Sequence, residues 1–265
     1  MTLMSTDGRP ACGIAACAIA LLLVSMPAFC AELFYMDHDP YTDRFVGPIG
    51  PLVLSGEIVP GDYAALLSKI LADRERFLAQ NKLILASDGG DVAEALKIAK
   101  LVKSLYTEVI VGPLTGRCVS ACFFIYAAAS QRETDGERLV GINRPYLTAS
   151  AARSTSTSAA PAAPADAMVE SGALATVRAF LEDNAVPRYL LDEMFRHASN
   201  DAYWLSAEDQ KNLGYRSPAY DRYLRDKCAW DDRKPVEELQ RMVKCRDRFT
   251  QGAARQVLAL ASTAH

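Results

Sequence analysis

Two short runs hold the residue types from which acyl chemistry is built. One is Ser87-Asp88-Gly89-Gly90 and the other is Cys118-Val119-Ser120-Ala121-Cys122. Glycine lets the backbone present an N–H with no Cβ in the way. A second N–H just after Ser120, from Ala121, would complete a donor pair for a developing negative oxygen. A helix opening near Ser120 would add a favourable field for such an anion. The same residues also suit plainer roles, Gly89-Gly90 as a tight turn and Ser120 as a helix cap.

The elements around these runs follow from the hydrophobic pattern. Leu52-Val53-Leu54, Lys82 to Ala86, Val109 to Val111 and Leu139 to Ile142 are short apolar runs that read as strands. Between them lie helical patterns: 62–77, a helix opened by Asp91 with Glu94 three residues on, as in a capping box, and 118–129, apolar all round and so buried. Strand and helix in alternation specify an α/β fold with a parallel sheet and right-handed crossovers. In such a sheet both runs fall at the carboxyl ends of neighbouring strands, where sites form. Residues 148–167 are almost entirely Ala, Ser, Thr and Pro, too small to pack a core, and read as a surface insertion. Helical sequence resumes over 168–183 and 187–197, and Ser206 and Gly214 read as cap and stop of a further helix. A charged helical tail, 219–265, ends the chain.

Residues 1–30 read as a secretory signal: Arg9, an apolar run from Gly13 to Val24, then Ala28 and Cys30 at the −3 and −1 positions of a cut before Ala31. The alternative is an uncleaved N-terminal membrane anchor, and either places the folded part outside the cytoplasm. Three of the seven cysteines (Cys12, Cys17, Cys30) belong to this region, leaving Cys118, Cys122, Cys228 and Cys245. An even number in an oxidising compartment suggests disulfides, with three connectivities open. Cys228–Cys245 suits a loop-back in the tail. Cys118 and Cys122, four residues apart on a helix, would sit about 6 Å apart and could brace Ser120.

Composition narrows the remaining classes. Half of the 265 residues are hydrophobic and 23% are charged, enough to bury a core. The net charge of −3, with both signs interspersed, gives no basic face for nucleic acid. The three histidines, His38, His197 and His265, are far apart, so no imidazole metal site is expected. No cofactor is expected either.

Taken in order, Leu85-Ala-Ser-Asp-Gly-Gly-Asp-Val-Ala-Glu-Ala-Leu96, Gly116-Arg-Cys-Val-Ser-Ala-Cys122 and Leu205-Ser-Ala-Glu-Asp209 with Leu213-Gly214 resemble the Clp protease/crotonase superfamily. The closer resemblance is to its secreted, periplasmic Clp-protease-like branch, over roughly residues 50–218. It implies a βαβ spiral built on a parallel sheet, with Ser120 on the nucleophile and Gly90 and the Ala121 N–H on the oxyanion hole. Gly89 would support the turn. The histidine base would follow the next strand, in Gly141-Ile-Asn-Arg-Pro145, where this chain has Asn143. An amide takes no proton at neutral pH. The resembled aspartate falls about one residue from Asp201.

Substitutes for the base are few. No lysine occurs between Lys103 and Lys211, Arg144 stays charged, and His197 remains as the alternative base. Two functions follow: a catalytically degenerate binding or assembly module for a peptide or protein, as a monomer or homo-oligomer, or a secreted serine hydrolase with a displaced base. Acyl-CoA chemistry sits poorly with export, because coenzyme A is cytoplasmic.

Overall fold

The apolar runs Leu52-Val53-Leu54 and Leu83-Ile84-Leu85 are buried on both faces, as central parallel strands must be. In the computed structural model, which describes residues 31–37, 50–112, 116–145, 164–198 and 200–263, they lie side by side. Strands β1 (Glu32–Tyr35), β2 (Leu52–Ser55), β3 (Lys82–Ala86), β4 (Glu108–Val111) and β6 (Gln131–Thr134) form one sheet in the order β1-β2-β3-β4-β6. β2, β3, β4 and β6 are parallel, and β1 closes one edge antiparallel to β2. The α/β class with a parallel sheet is therefore the one the sequence specifies. Alternation sorts its side chains: Leu52, Leu54, Leu83, Leu85, Val109 and Val111 enter the main core, while Val53, Ile84 and Ile110 meet Met36 on the other face.

Helices α1 (Asp62–Ala72), α2 (Arg74–Gln80), α3 (Val92–Ser104) and α4 (Cys122–Ala128) join this main core through Leu66, Ile70, Phe77, Ile98, Phe123 and Phe124. The helix expected over 62–77 is two helices. Asp73 has left the helical region (φ −132°, ψ 46°), and the new direction buries Phe77 and Leu78. Asp91 caps α3 as expected, its Oδ1 accepting from Glu94 N at 2.7 Å. Glu94 does not complete the box; its Oε1 instead accepts from Gly61 N and Tyr63 N, tying α3 to the start of α1.

A second, smaller sheet was not foreseen. β5 (Cys118–Val119) runs parallel to β7 (Val140–Ile142), and β8 (Tyr203–Trp204) pairs antiparallel on the far side. The strand expected over 139–142 thus belongs here, not to the main sheet, and a Ser87–Cys118 bridge joins the two. The insertion is outside the described residues as far as 163; from Pro164 the backbone is already helical, in α5 (Pro164–Asp183). Residues 1–30 lie outside the description as well.

After α6 (Arg188–Arg196) comes α7 (Ala207–Leu213), capped by Ser206 and followed by Gly214 as read from the sequence; Asp209 turns the cap into a full capping box. α8 (Pro218–Cys228) and α9 (Val236–Thr263) make up the tail. α9 returns to the body of the molecule: Ala254 and Leu258 are buried in the main core, and Arg255 forms a two-pronged ion pair with Glu75 of α2. Arg132 of β6 ties the other helices down. Its buried guanidinium donates to the carbonyls of Ala127 (2.7 Å), Leu213 (3.0 Å), Gly214 (3.1 Å) and Asn184 (3.4 Å). Among the described residues no helix is long and apolar enough to cross a membrane.

Both expected disulfides form, Cys118–Cys122 and Cys228–Cys245. The second joins α8 to α9 across a separation of 17 residues, and closing such a loop stabilises a fold by about 3 kcal/mol. Replacing both Cys228 and Cys245 by alanine should lower stability by roughly that amount, read from the urea midpoint under oxidising conditions. Under reducing conditions the difference from wild type should shrink.

Candidate functional site

The turn after β3 is built around two glycines with positive φ, Gly89 at 109° and Gly90 at 134°. Space as well as conformation requires them. A Cβ on Gly90 would lie 2.1 Å from the Ile58 carbonyl oxygen, and one on Gly89 would lie 2.7 Å from Ser120 Cβ. Backbone bonds hold these approaches: Ile58 N donates to Gly89 O at 2.8 Å, and Asp91 N donates to Ile58 O at 2.7 Å. The Gly89 N–H is taken by Ser87 Oγ. Among the described residues the N–H groups of Gly90 and Ala121 make no hydrogen bond. Gly90 lines the cleft next to this turn, whereas Ala121 is buried and neither it nor Ser120 lines that cleft.

Ser120 does not begin a helix. It forms the sharp turn between β5 and α4, with φ 56°, in the left-handed region that a side chain with a Cβ rarely adopts. That strand-turn-helix arrangement lifts a side chain off the backbone, as at a nucleophile elbow. Three bonds fix it: Val119 N to Ser87 O (2.9 Å), Ser120 N to Gly141 O (3.1 Å) and Cys118 N to Leu139 O (2.8 Å). The Cys118–Cys122 bridge, fully buried, spans the turn with its Cα atoms 5.3 Å apart. The plainer reading of Ser120 as a cap does not hold, since Ala121 occupies the N-cap position of α4 and no side chain caps it. Among the described residues no side chain is hydrogen-bonded to Ser120 Oγ.

Asn143 follows β7 directly and is buried. Asp201 is not its partner. The exposed Asp201 carboxylate instead lies 3.1 Å from His197 Nδ1, and Glu193 Oε2 lies 3.5 Å from Nε2 of the same ring. His197 ends a helix rather than lying along it. It is the C-cap of α6, partly buried, with its ring 5.8 Å from that of Tyr203. Its carbonyl accepts from Arg144 N at 3.0 Å, so the imidazole–carboxylate pair is anchored beside the residue that follows Asn143. Ser120 and His197 are both fastened to the β7 segment, at Gly141 and Arg144, but they are not hydrogen-bonded to each other.

Next to the glycine turn opens a cleft of about 960 Å³, lined by residues that include Gly56, Glu57, Asp88, Gly89, Gly90 and Arg117. A second cavity of about 350 Å³ holds His197 and Ser206, and Arg138 and Trp204 line both. Trp204 forms the shared wall: a Cβ on Gly141 would come within 3.3 Å of its indole, and Arg117 stands 5.8 Å from the ring. Arg117 is itself held by Asp88, at 2.5 and 3.1 Å. Sequence reasoning missed Ile58, Arg117, Arg138 and Trp204. Arg117, set between Gly116 and the cysteine run, was visible in the sequence; Ile58 and Trp204 are brought in by strand pairing, and Arg138 by the bend that precedes β7.

The glycine turn yields a direct test. Gly90→Ala must either displace the Ile58 segment or distort the turn, on top of adopting a disfavoured φ. It should cost about 2 kcal/mol or more in chemical denaturation. Gly172→Ala, in open space on α5, should cost nothing.

No family model matches the chain, and no curated protein matches it. Among solved structures it is similar to ClpP1 of Listeria monocytogenes, at 16% identity over 63% of this chain and 88% of that one, with a TM-score of 0.41. A point mutant of ClpP1 from the same organism gives 20% identity, the same coverage and the same TM-score. A point mutant of the 1510-N membrane-bound stomatin-specific protease gives 15% identity over 70% of this chain and 87% of that one, again with a TM-score of 0.41.

Proposed function

We propose that this chain is an extracytoplasmic Clp-protease-like protein that binds a peptide or protein in the cleft beside Gly89 and Gly90 without hydrolysing it. The observation that carries this reading is the buried amide of Asn143, standing where the resemblance calls for a histidine. A serine set in an elbow, beside backbone donors that take no partner within the protein, can hold a polarised carbonyl. Without a base to take its proton, it attacks slowly. The cleft's volume of about 960 Å³ and its mixed lining of glycine backbone, Trp204, Arg117 and Glu57 suit a peptide. Assembly into a homo-oligomer belongs to the same proposal, and light scattering would measure it.

One observation favours the second reading, a serine hydrolase with a displaced base. The His197–Asp201 contact has the geometry of an oriented imidazole. The two readings separate with a fluorophosphonate probe. On the binding reading, wild type is labelled no faster than Ser120→Ala, because loss of a general base removes about 100-fold or more of reactivity. Labelling that disappears in both Ser120→Ala and His197→Ala would establish the hydrolase instead. Asn143→His should give weak Ser120-dependent labelling if the elbow and donors are otherwise sound.

A further inference from the structure

Asp62, the first residue of α1, is fully buried. Its Oδ2 accepts from Val59 N at 2.7 Å and its Oδ1 from Ala31 N at 3.3 Å. Among the described residues no Lys, Arg or His side chain pairs with it. The charge nearest in influence is Glu94, of the same sign, whose own carboxylate is taken by Gly61 N, Tyr63 N and Lys97 Nζ. Burial, and then Glu94, push the Asp62 carboxyl above the usual carboxylate range. Buried carboxylates are rarely left without a cation, because desolvation is offset only by a close opposite charge or several strong donors.

The nitrogen facing this carboxylate belongs to Ala31, the residue after the expected signal cut. We propose that cleavage before Ala31 converts that amide nitrogen into an α-ammonium which pairs with Asp62, so that removal of the leader completes a buried ion pair. The proposal rests on the extracytoplasmic reading above. A signal peptidase breaks the bond between the Cys30 carbonyl carbon and Ala31 nitrogen. Water supplies the hydroxyl to Cys30 and a proton to the nitrogen, which takes up a further proton from solvent. Ala31 is buried in the folded chain, so the cut precedes folding.

The pair also reaches the candidate site. The Val59 N–H held by Asp62 adjoins Ile58, whose N–H and carbonyl lace to Gly89 O and Asp91 N. A charged N-terminus at Asp62 therefore braces the segment against which Gly90 packs. In a chain that folds uncleaved, a neutral amide donor would hold the same carboxylate less strongly.

The test uses the full chain expressed with its leader in an exporting host, purified from the extracytoplasmic fraction. Intact mass gives the first residue, and the pH dependence of acetylation at the N-terminal peptide gives the protonation midpoint of its amine. The expected result is a start at Ala31 and a midpoint at least about one unit, tenfold in proton affinity, above the ordinary α-amino value near 8. Asp62→Asn should return the midpoint to that value, and wild type unfolded in urea supplies the same reference if this variant does not fold. Equal midpoints in folded and unfolded wild type would overturn the pairing. So would an exported chain beginning at any other residue, which leaves the extracytoplasmic reading standing. A full-length chain retained in the cytoplasm would overturn both.

Discussion

Between Gly89 and Ser120 there is no room for a single added carbon, and between Gly90 and the Ile58 carbonyl there is less. These two approaches bring together segments around residues 58, 89 and 120 that the chain places far apart. Each is fixed by backbone hydrogen bonds, so the geometry does not depend on side-chain choice at the surface. The strained φ of Ser120 persists because β5 is held on both sides, by Ser87 and by Leu139 and Gly141, while the Cys118–Cys122 bridge closes the turn behind it. Such a conformation persists only where the surrounding structure over-determines it.

How much of this the sequence discloses depends on the range of each interaction. β3 with its glycine turn, the Asp91 cap and the Ser206 cap are local patterns, and each stands where its residues place it. β5 and β8 have two residues each, too few to show a period, so the second sheet and the conformation of Ser120 were hidden. The break at Asp73 is set by the core that receives Phe77. Glu94 illustrates the same limit. Its spacing from Asp91 is that of a capping box, but the carboxylate is drawn to the N–H groups of Gly61 and Tyr63, a contact no local pattern encodes. At the candidate site, residue types were legible and partners were not. Gly89 packs against Ser120 and Gly90 against Ile58, whereas Asp201 turns to His197 because both flank the turn between α6 and β8.

Arg132 shows how the later helices are joined to the sheet. A guanidinium at the core would ordinarily call for a carboxylate, but here four carbonyl oxygens surround it, from the ends of α4, α5 and α7. Helix C-termini leave carbonyls without partners and carry partial negative charge. One buried cation thus satisfies three helix ends at once. Desolvation lowers its pKa only to about 10, so it stays charged at neutral pH and the three ends remain gathered. Replacing it with an apolar residue of similar length would leave those carbonyls buried and unpaired.

The placement of Trp204 has a consequence for observing the molecule. The chain has two tryptophans. Trp204 is the wall between the two cavities, with one cationic side chain beside it and glycine backbone against it. Trp230 lies in the tail, its ring 5.3 Å from the Arg216 guanidinium, and lines neither cavity. Indole emission follows the charge and water around the ring. The protein therefore carries its own optical gauge, one emitter that an occupant of either cavity would touch and another that stands outside both.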